Sequence, residues 1–172
     1  DDLAAGVQPP HWPELVRQAL HAVHIPESLG GQGGGLEELA VIVEAAGAAL
    51  LPGPFLPTVM ASAVVTLGGD GPTRSALLAE FAAGATGAVV PPTHGIAARR
   101  AGDGWSLSGS SLPVLGLLSA GVVIVGARCP DAAEDEFVWL RLDPQAAGVA
   151  REALEGTDLT RDVGRLNLDD VR

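Results

Sequence analysis

Five glycines fall within residues 30–35, and an apolar, acidic segment follows at once in GGQGGGLEELAVIVEAAG. A glycine loop that opens a helix can cradle a phosphate on free backbone N–H groups. The P-loop form of that chemistry needs Gly-Lys-Ser/Thr, and the chain has no lysine. The dinucleotide form, G-x-G-x-x-G, fails in register, because Gly31 and Gly33 would require glycine where Leu36 stands. It also fails in context, since a helical pattern precedes the loop where a strand is required. A bare anion site at the helix start would compete with Glu37 and Glu38, which already occupy that positive end. The favoured reading is a structural hinge, in which glycine lets two helices approach closely.

The other chemistry-bearing residues are scattered. His21 and His24 stand three apart and could present two metal ligands from one helix, but no third ligand is evident, so they read as a helix-surface pair. His11 and His94 are isolated. Cys129 is the only cysteine, makes no intrachain disulfide, and reads as a small buried residue at a strand end. Arg99-Arg100 is the only adjacent basic pair; a solvated strand end is preferred over a phosphate contact. Ser108, Ser110 and Ser111 lack the G-x-S-x-G elbow and any traceable His-Asp partners. Asp158 and Arg161 suit a local pair within a turn. Trp12, Trp105 and Trp139 read as packing anchors. No catalytic residue and no metal site emerges.

Composition narrows the classes. Of 172 residues, 47% are apolar, enough for a buried core. The net charge is −11, which repels nucleic acid. No apolar run approaches a membrane span, and the acidic start is unlike a signal peptide, so a cytoplasmic protein that neither crosses a membrane nor binds nucleic acid is expected.

Two periods divide the chain. Pro13, Leu15, Val16, Ala19, Leu20 and Val23 predict a helix that His24-Ile25-Pro26 ends. A second helix starts near Leu36, with Leu36, Leu39, Ala40, Val43, Ala46, Gly47 and Leu50 on one stripe. After LLPGPFLPT a third runs from Thr58 to Leu67, the turn GGDGP follows, and a fourth runs from Thr73 to Ala83. Short strands follow at Ala88–Val90, Ile96–Arg100, Trp105–Ser108, Val122–Ala127, Phe137–Leu142, Gly148–Ala153 and Val163–Leu168. Asp103-Gly104 signals a hairpin. VVIVGA, residues 122–127, predicts a strand buried on both faces. The expected fold is α+β: a helical N-terminal domain, residues 1–85, then a small antiparallel β-barrel or sandwich domain, residues 86–172.

The segment from Trp12 to Gly69 resembles the N-terminal helical domain of acyl-CoA dehydrogenases. It runs through a Trp-x-x-Leu helix, Ile-Pro-Glu, Gly-Gly-x-Gly, an acidic helix and a proline-rich turn into another helix. WSLSGSSLPVLGLLSAGVVIVGAR, residues 105–128, resembles the start of that family's middle β domain, and DLTRDVGRLNLDDVR, residues 158–172, its end. The resemblance implies a flavin enzyme. FAD takes a hydride from the β-carbon of an acyl-CoA thioester while a glutamate removes the α-proton. It also implies homo- or hetero-oligomers of acyl-CoA dehydrogenase subunits. The family's C-terminal four-helix bundle, which carries the glutamate and much of the FAD contact, has no counterpart in these residues. The family's first helix is missing or cut short. A fragment or half of a larger protein is expected.

Two departures concern the flavin. Where members carry Thr-Glu followed by Gly-Ser-Asp, this chain reads GAVVPPTHG, residues 87–95. Members also carry an aromatic-Ile-Thr/Ser-Asn segment whose hydroxyl faces the flavin. Here Pro113, Val114, Leu115 and Gly116 stand at those places. Pro113 offers no stacking face and Leu115 no hydrogen bond. The resemblance therefore implies a degenerate half that binds FAD weakly or not at all. It is similar to actinobacterial members of steroid side-chain degradation, which pair an active half with a scaffold half.

Overall fold

The computed structural model describes residues 5–68, 71–93, 95–131 and 136–172. His94 and the Gly69-Asp70 part of the expected turn lie outside them. Among the described residues, four α-helices come first: α1 (Trp12–Arg17), α2 (Leu36–Ala48), α3 (Phe55–Leu67) and α4 (Pro72–Ala82). Eight strands follow: β1 (Gly87–Val90), β2 (Ile96–Ala101), β3 (Gly104–Ser110), β4 (Val114–Leu115), β5 (Val122–Arg128), β6 (Phe137–Leu142), β7 (Val149–Ala153) and β8 (Val163–Val171). The α+β order expected from the two periods holds. Among the described residues, no helix is long and apolar enough to cross a membrane.

The first helix is shorter than its periodicity predicts. Ala19 adopts a left-handed φ of 53°, and the chain re-enters as a 3-10 turn, Leu20–Ala22. That conformation costs roughly 1–2 kcal/mol for a residue with a Cβ. The bend turns Ala22 and Ile25 inward, both with no exposed surface. Full burial of an isoleucine alone contributes about 1.5–3 kcal/mol, so burial outweighs the local strain. The same bend overturns the surface-pair reading of His21 and His24, which are 1% and 3% exposed.

Three further corrections are local. Helix α3 begins at Phe55, because Pro57 falls in the first turn, where its missing N–H has no helical partner to lose. The hairpin turn is Gly102-Asp103, one residue earlier than expected, with the positive φ of 62° on Gly102. On α2, the inward stripe is Leu39, Ile42, Val43 and Ala46; Leu36, Ala40, Gly47 and Leu50 are exposed.

One mostly antiparallel, nearly closed sheet forms the β half. β2 and β3 make the hairpin, β3 pairs β8, and β8 also takes β7 and the short β4. β5 pairs β6 antiparallel and β1 parallel, from Gly87↔Val122 to Val90↔Val125. As its unbroken apolar run predicts, β5 is buried on both faces. Val123, Val125 and Ala127 enter a core inside the sheet. Val122 and Ile124 enter a second core with Ala22, Ile25, Ala61, Leu77, Leu78 and Phe81 from the helical half. A third core joins Trp12, Leu39, Phe55 and Val59.

Candidate functional site

The glycine loop has no free amide to offer an anion. Gly30 N–H donates to Glu27 O at 3.0 Å and Gly31 N–H to Pro26 O at 3.1 Å. Gln32, Gly33 and Gly34 donate to the carbonyls of Ala22, Ile25 and Val23 at 3.2, 2.9 and 2.9 Å. Gly35 N–H donates to Glu38 Oε2 at 2.7 Å, which holds that carboxyl below its usual range. All six backbone donors of residues 30–35 are therefore used within the chain. The loop clasps residues 22–25. A Cβ at Gly31 would stand 2.1 Å from the Ile25 carbonyl oxygen, so contact with that backbone requires glycine.

The positions matched to the family's flavin contacts come together elsewhere. Pro113 is exposed, and Leu115 on β4 is half-buried. They flank a groove of about 200 Å³. Pro57 and Met60 of α3 form one wall, Val89 and Pro91 another, and Pro113, Val114 and Leu115 the third. Every side chain there is hydrocarbon or thioether. Gly116, at φ 73°, lets β4 reach α3, since a Cβ would lie 2.4 Å from Pro57 Cγ. Pro57 and Met60 carry no signal in sequence as partners of Pro113; only the packing of α3 on β1 brings them there.

The loop after β4 is held from both sides. Asp162, 5% exposed, accepts hydrogen bonds from Leu118 N–H at 2.8 Å, Ser119 N–H at 3.3 Å and Ser119 Oγ at 2.6 Å. Its own carbonyl accepts Gly116 N–H at 2.9 Å. Arg151 Nη1 donates to the carbonyls of Leu117, Leu118 and Ala120 at 3.2–3.3 Å. Sequence reading misses this clamp, because Asp162 and Arg151 lie more than 30 residues from the loop that they hold.

These groups do not fit a flavin. Pro113 has no N–H, and Val114 and Leu115 have no polar side-chain atom. The amides of Gly116, Leu118 and Ser119 are all donated to Asp162. The hydroxyl of Thr86 is bound to Ser119 O at 2.6 Å. The strip offers neither a stacking face nor an uncommitted donor among these groups.

The remaining candidates are structural. Arg99 pairs with Asp131 at 2.7 Å, and Arg100 stacks 4.0 Å above the Trp105 ring. Both line a cavity of about 270 Å³ with Cys129, which is 9% exposed. Ser111 Oγ accepts Leu166 N–H at 3.0 Å, and Ser110 bonds Asn167 at 2.7 Å, so neither addresses a base. Asp158 accepts the Thr160 amide at 2.9 Å and lies 3.8 Å from Arg161, forming the expected local turn. Its carboxyl is held below the usual range chiefly by the Thr160 hydroxyl. Trp12 is buried as an anchor should be, whereas Trp139 is 40% exposed beside Phe137 and anchors less than expected.

No family model matches the chain. Individual relatives do. It is 33% identical over 163 residues to the acyl-CoA dehydrogenase FadE34 of Mycobacterium tuberculosis, covering 92% of this chain and 20% of that protein. It is 41% identical over 82 residues to the acyl-CoA dehydrogenase IpdE2 of Mycolicibacterium smegmatis, covering 46% of this chain and 25% of that protein. Among solved structures, a variant of the steroid ACAD Tcur3481-Tcur3483 superposes with a TM-score of 0.80 and 31% identity over 93% of this chain and 45% of its own. The ChsE4-ChsE5 complex of Mycobacterium tuberculosis gives 0.80 and 25% over 93% and 44%. The chain thus spans less than half the length of these proteins. On sequence and fold together, it belongs to the acyl-CoA dehydrogenase family.

Proposed function

We propose that this chain is a flavin-free half of an acyl-CoA dehydrogenase assembly. In this reading residues 1–85 and 86–172 serve as helical and β domains of a scaffold. The assembly carries out FAD-dependent α,β-desaturation of an acyl-CoA, of steroid-derived type, in the cytoplasm. The catalytic base and the flavin belong to a partner subunit or to another stretch of polypeptide. One observation carries the reading: Pro113 and Leu115, at positions that face the flavin in the family, line an all-hydrocarbon groove beside amides that are already bonded. The two-chain names of the steroid-type structures support a heteromeric setting.

The test is a flavin absorbance spectrum of the purified chain, with an FAD titration. A colourless protein that takes up no FAD is expected. The Leu115→Thr, Pro113→Trp double variant should gain little affinity, because the neighbouring amides remain committed. Stoichiometric FAD on the unmodified chain would overturn the reading. A second reading, in which the chain is part of a catalytically active flavoenzyme polypeptide, is favoured by the match to only 20% of FadE34. A longer gene product that purifies yellow, with flavin bound in part by this β half, would select it.

A further inference from the structure

The segment that carries α1 and the glycine loop is hooked onto one end of α4 by two ring N–H groups. Trp12 Nε1 donates to Gly84 O at 3.2 Å, and His21 Nε2 donates to Phe81 O at 3.0 Å. The two rings meet edge to face with centroids 5.6 Å apart. Ala22 and Ile25 then enter the shared core, and the glycine loop closes over residues 22–25. Helix α2, next in sequence, buries only Leu39 fully. Leu39 sits in the core that joins Trp12 of this segment with Phe55 and Val59 of α3, so the segment supplies one side of its seat.

The bond to Phe81 O places a proton on Nε2 of His21. Nδ1 of His21 and both ring nitrogens of His24 have no hydrogen-bond partner among the described residues. A neutral imidazole carries one donor and one acceptor, so His24 buries both unmatched. Among the described residues, no charged group other than the paired histidine acts on either ring. Helix α3 has no ionisable side chain. On α1, Glu14 and Arg17 pair with each other at the surface. Glu27, Glu37, Glu38 and Glu44 are exposed. On α4, Arg74 donates to the carbonyls of Val65 and Thr66, and Glu80 pairs with Arg141. His11 bonds Pro52 O. Each buried ring thus has the other as its charged neighbour when protonated.

We propose that residues 12–34 form an acid-released strap: proton uptake by the His21–His24 pair unfastens it from the end of α4 while α3, α4 and the sheet stay folded. Burial holds both rings below the ordinary histidine value of 6.5, and for His24 the charge of His21 adds to that. A histidine lowered in the folded state contributes stability that is complete above its unfolded value. That stability is lost as pH falls from there toward the folded value. The strap is therefore secure at neutral pH and loosens below about 6.5.

Hydrogen exchange of the full chain, corrected for the intrinsic pH dependence, tests this. Between about pH 7.5 and about pH 5.5, protection of the Gln32, Gly33 and Gly34 amides should fall at least ~10-fold, while the β5 amides keep theirs. A His21→Asn, His24→Phe double variant should show no such fall. If that variant does not fold, NMR of the ring protons in the native chain decides. Both rings must stay neutral until the strap opens. Titration of His24 at its ordinary value with protection intact would overturn the proposal. So would a parallel loss in β5, or a fall that persists in the double variant.

Discussion

At the scale of single residues, the glycines separate into those the fold requires and those it does not. Gly31→Ala should destabilise the chain by about 2 kcal/mol or more, since a Cβ would stand 2.1 Å from the Ile25 carbonyl oxygen and both partners are backbone that cannot swing aside. Thermal melts of that variant check this. Asp162→Ala should cost about 2–4 kcal/mol, because it leaves the half-buried amides of Leu118 and Ser119 and the Ser119 hydroxyl without their acceptor. Urea titration reads it, and Asp162→Asn should recover part of the loss. The role of the glycine loop was legible in the sequence: missing lysine and wrong register closed the phosphate readings, leaving close approach. The histidines were not. Nothing in QALHAV marks Ala19 as the residue that turns left-handed, so their burial follows from the gain at Ile25, a tertiary effect.

At the scale of elements, α2 closes with Leu50 N–H on Gly47 O and Leu51 N–H on Ala46 O, at 3.0 and 2.9 Å. This Schellman pattern puts the left-handed residue at Leu50, φ 51° and 80% exposed, where glycine is favoured. Glycine instead stands three residues earlier, inside the helix, with open space where its Cβ would be. Leu50→Gly and Gly47→Ala should each stabilise the isolated chain by about 1 kcal/mol, readable as a rise in Tm. An unchanged Tm in both would refute this account of the helix end. The helices and most strands were legible because their periods extend over many residues. β4 was not, since Val114 and Leu115 are too few to show alternation and exist as a strand only through β8. The parallel pairing of β1 with β5 was equally hidden, because register across 35 residues leaves no local trace.

At the scale of the whole molecule, the helical and β halves are joined by one core. Val122 and Ile124 of β5 pack among Leu77, Leu78 and Phe81. Removing two such side chains withdraws about 3–6 kcal/mol of burial, comparable with the net stability of a small domain. Residues 1–85 expressed alone should therefore lack a cooperative thermal transition by circular dichroism. A sharp transition there would mean that the helical layer is self-sufficient. The shared core also sets a schedule for synthesis. The end of α4 leaves the ribosome some 40 residues ahead of Ile124, which at ordinary elongation rates is about 2–8 s. During that interval the faces of Leu78 and Phe81 wait uncovered, and the nascent chain is most open to chaperones and proteases. Slow codons read after α4 has emerged from the ribosome and before Ile124 has done so would prolong that exposure, and synonymous changes there should alter the yield of folded protein.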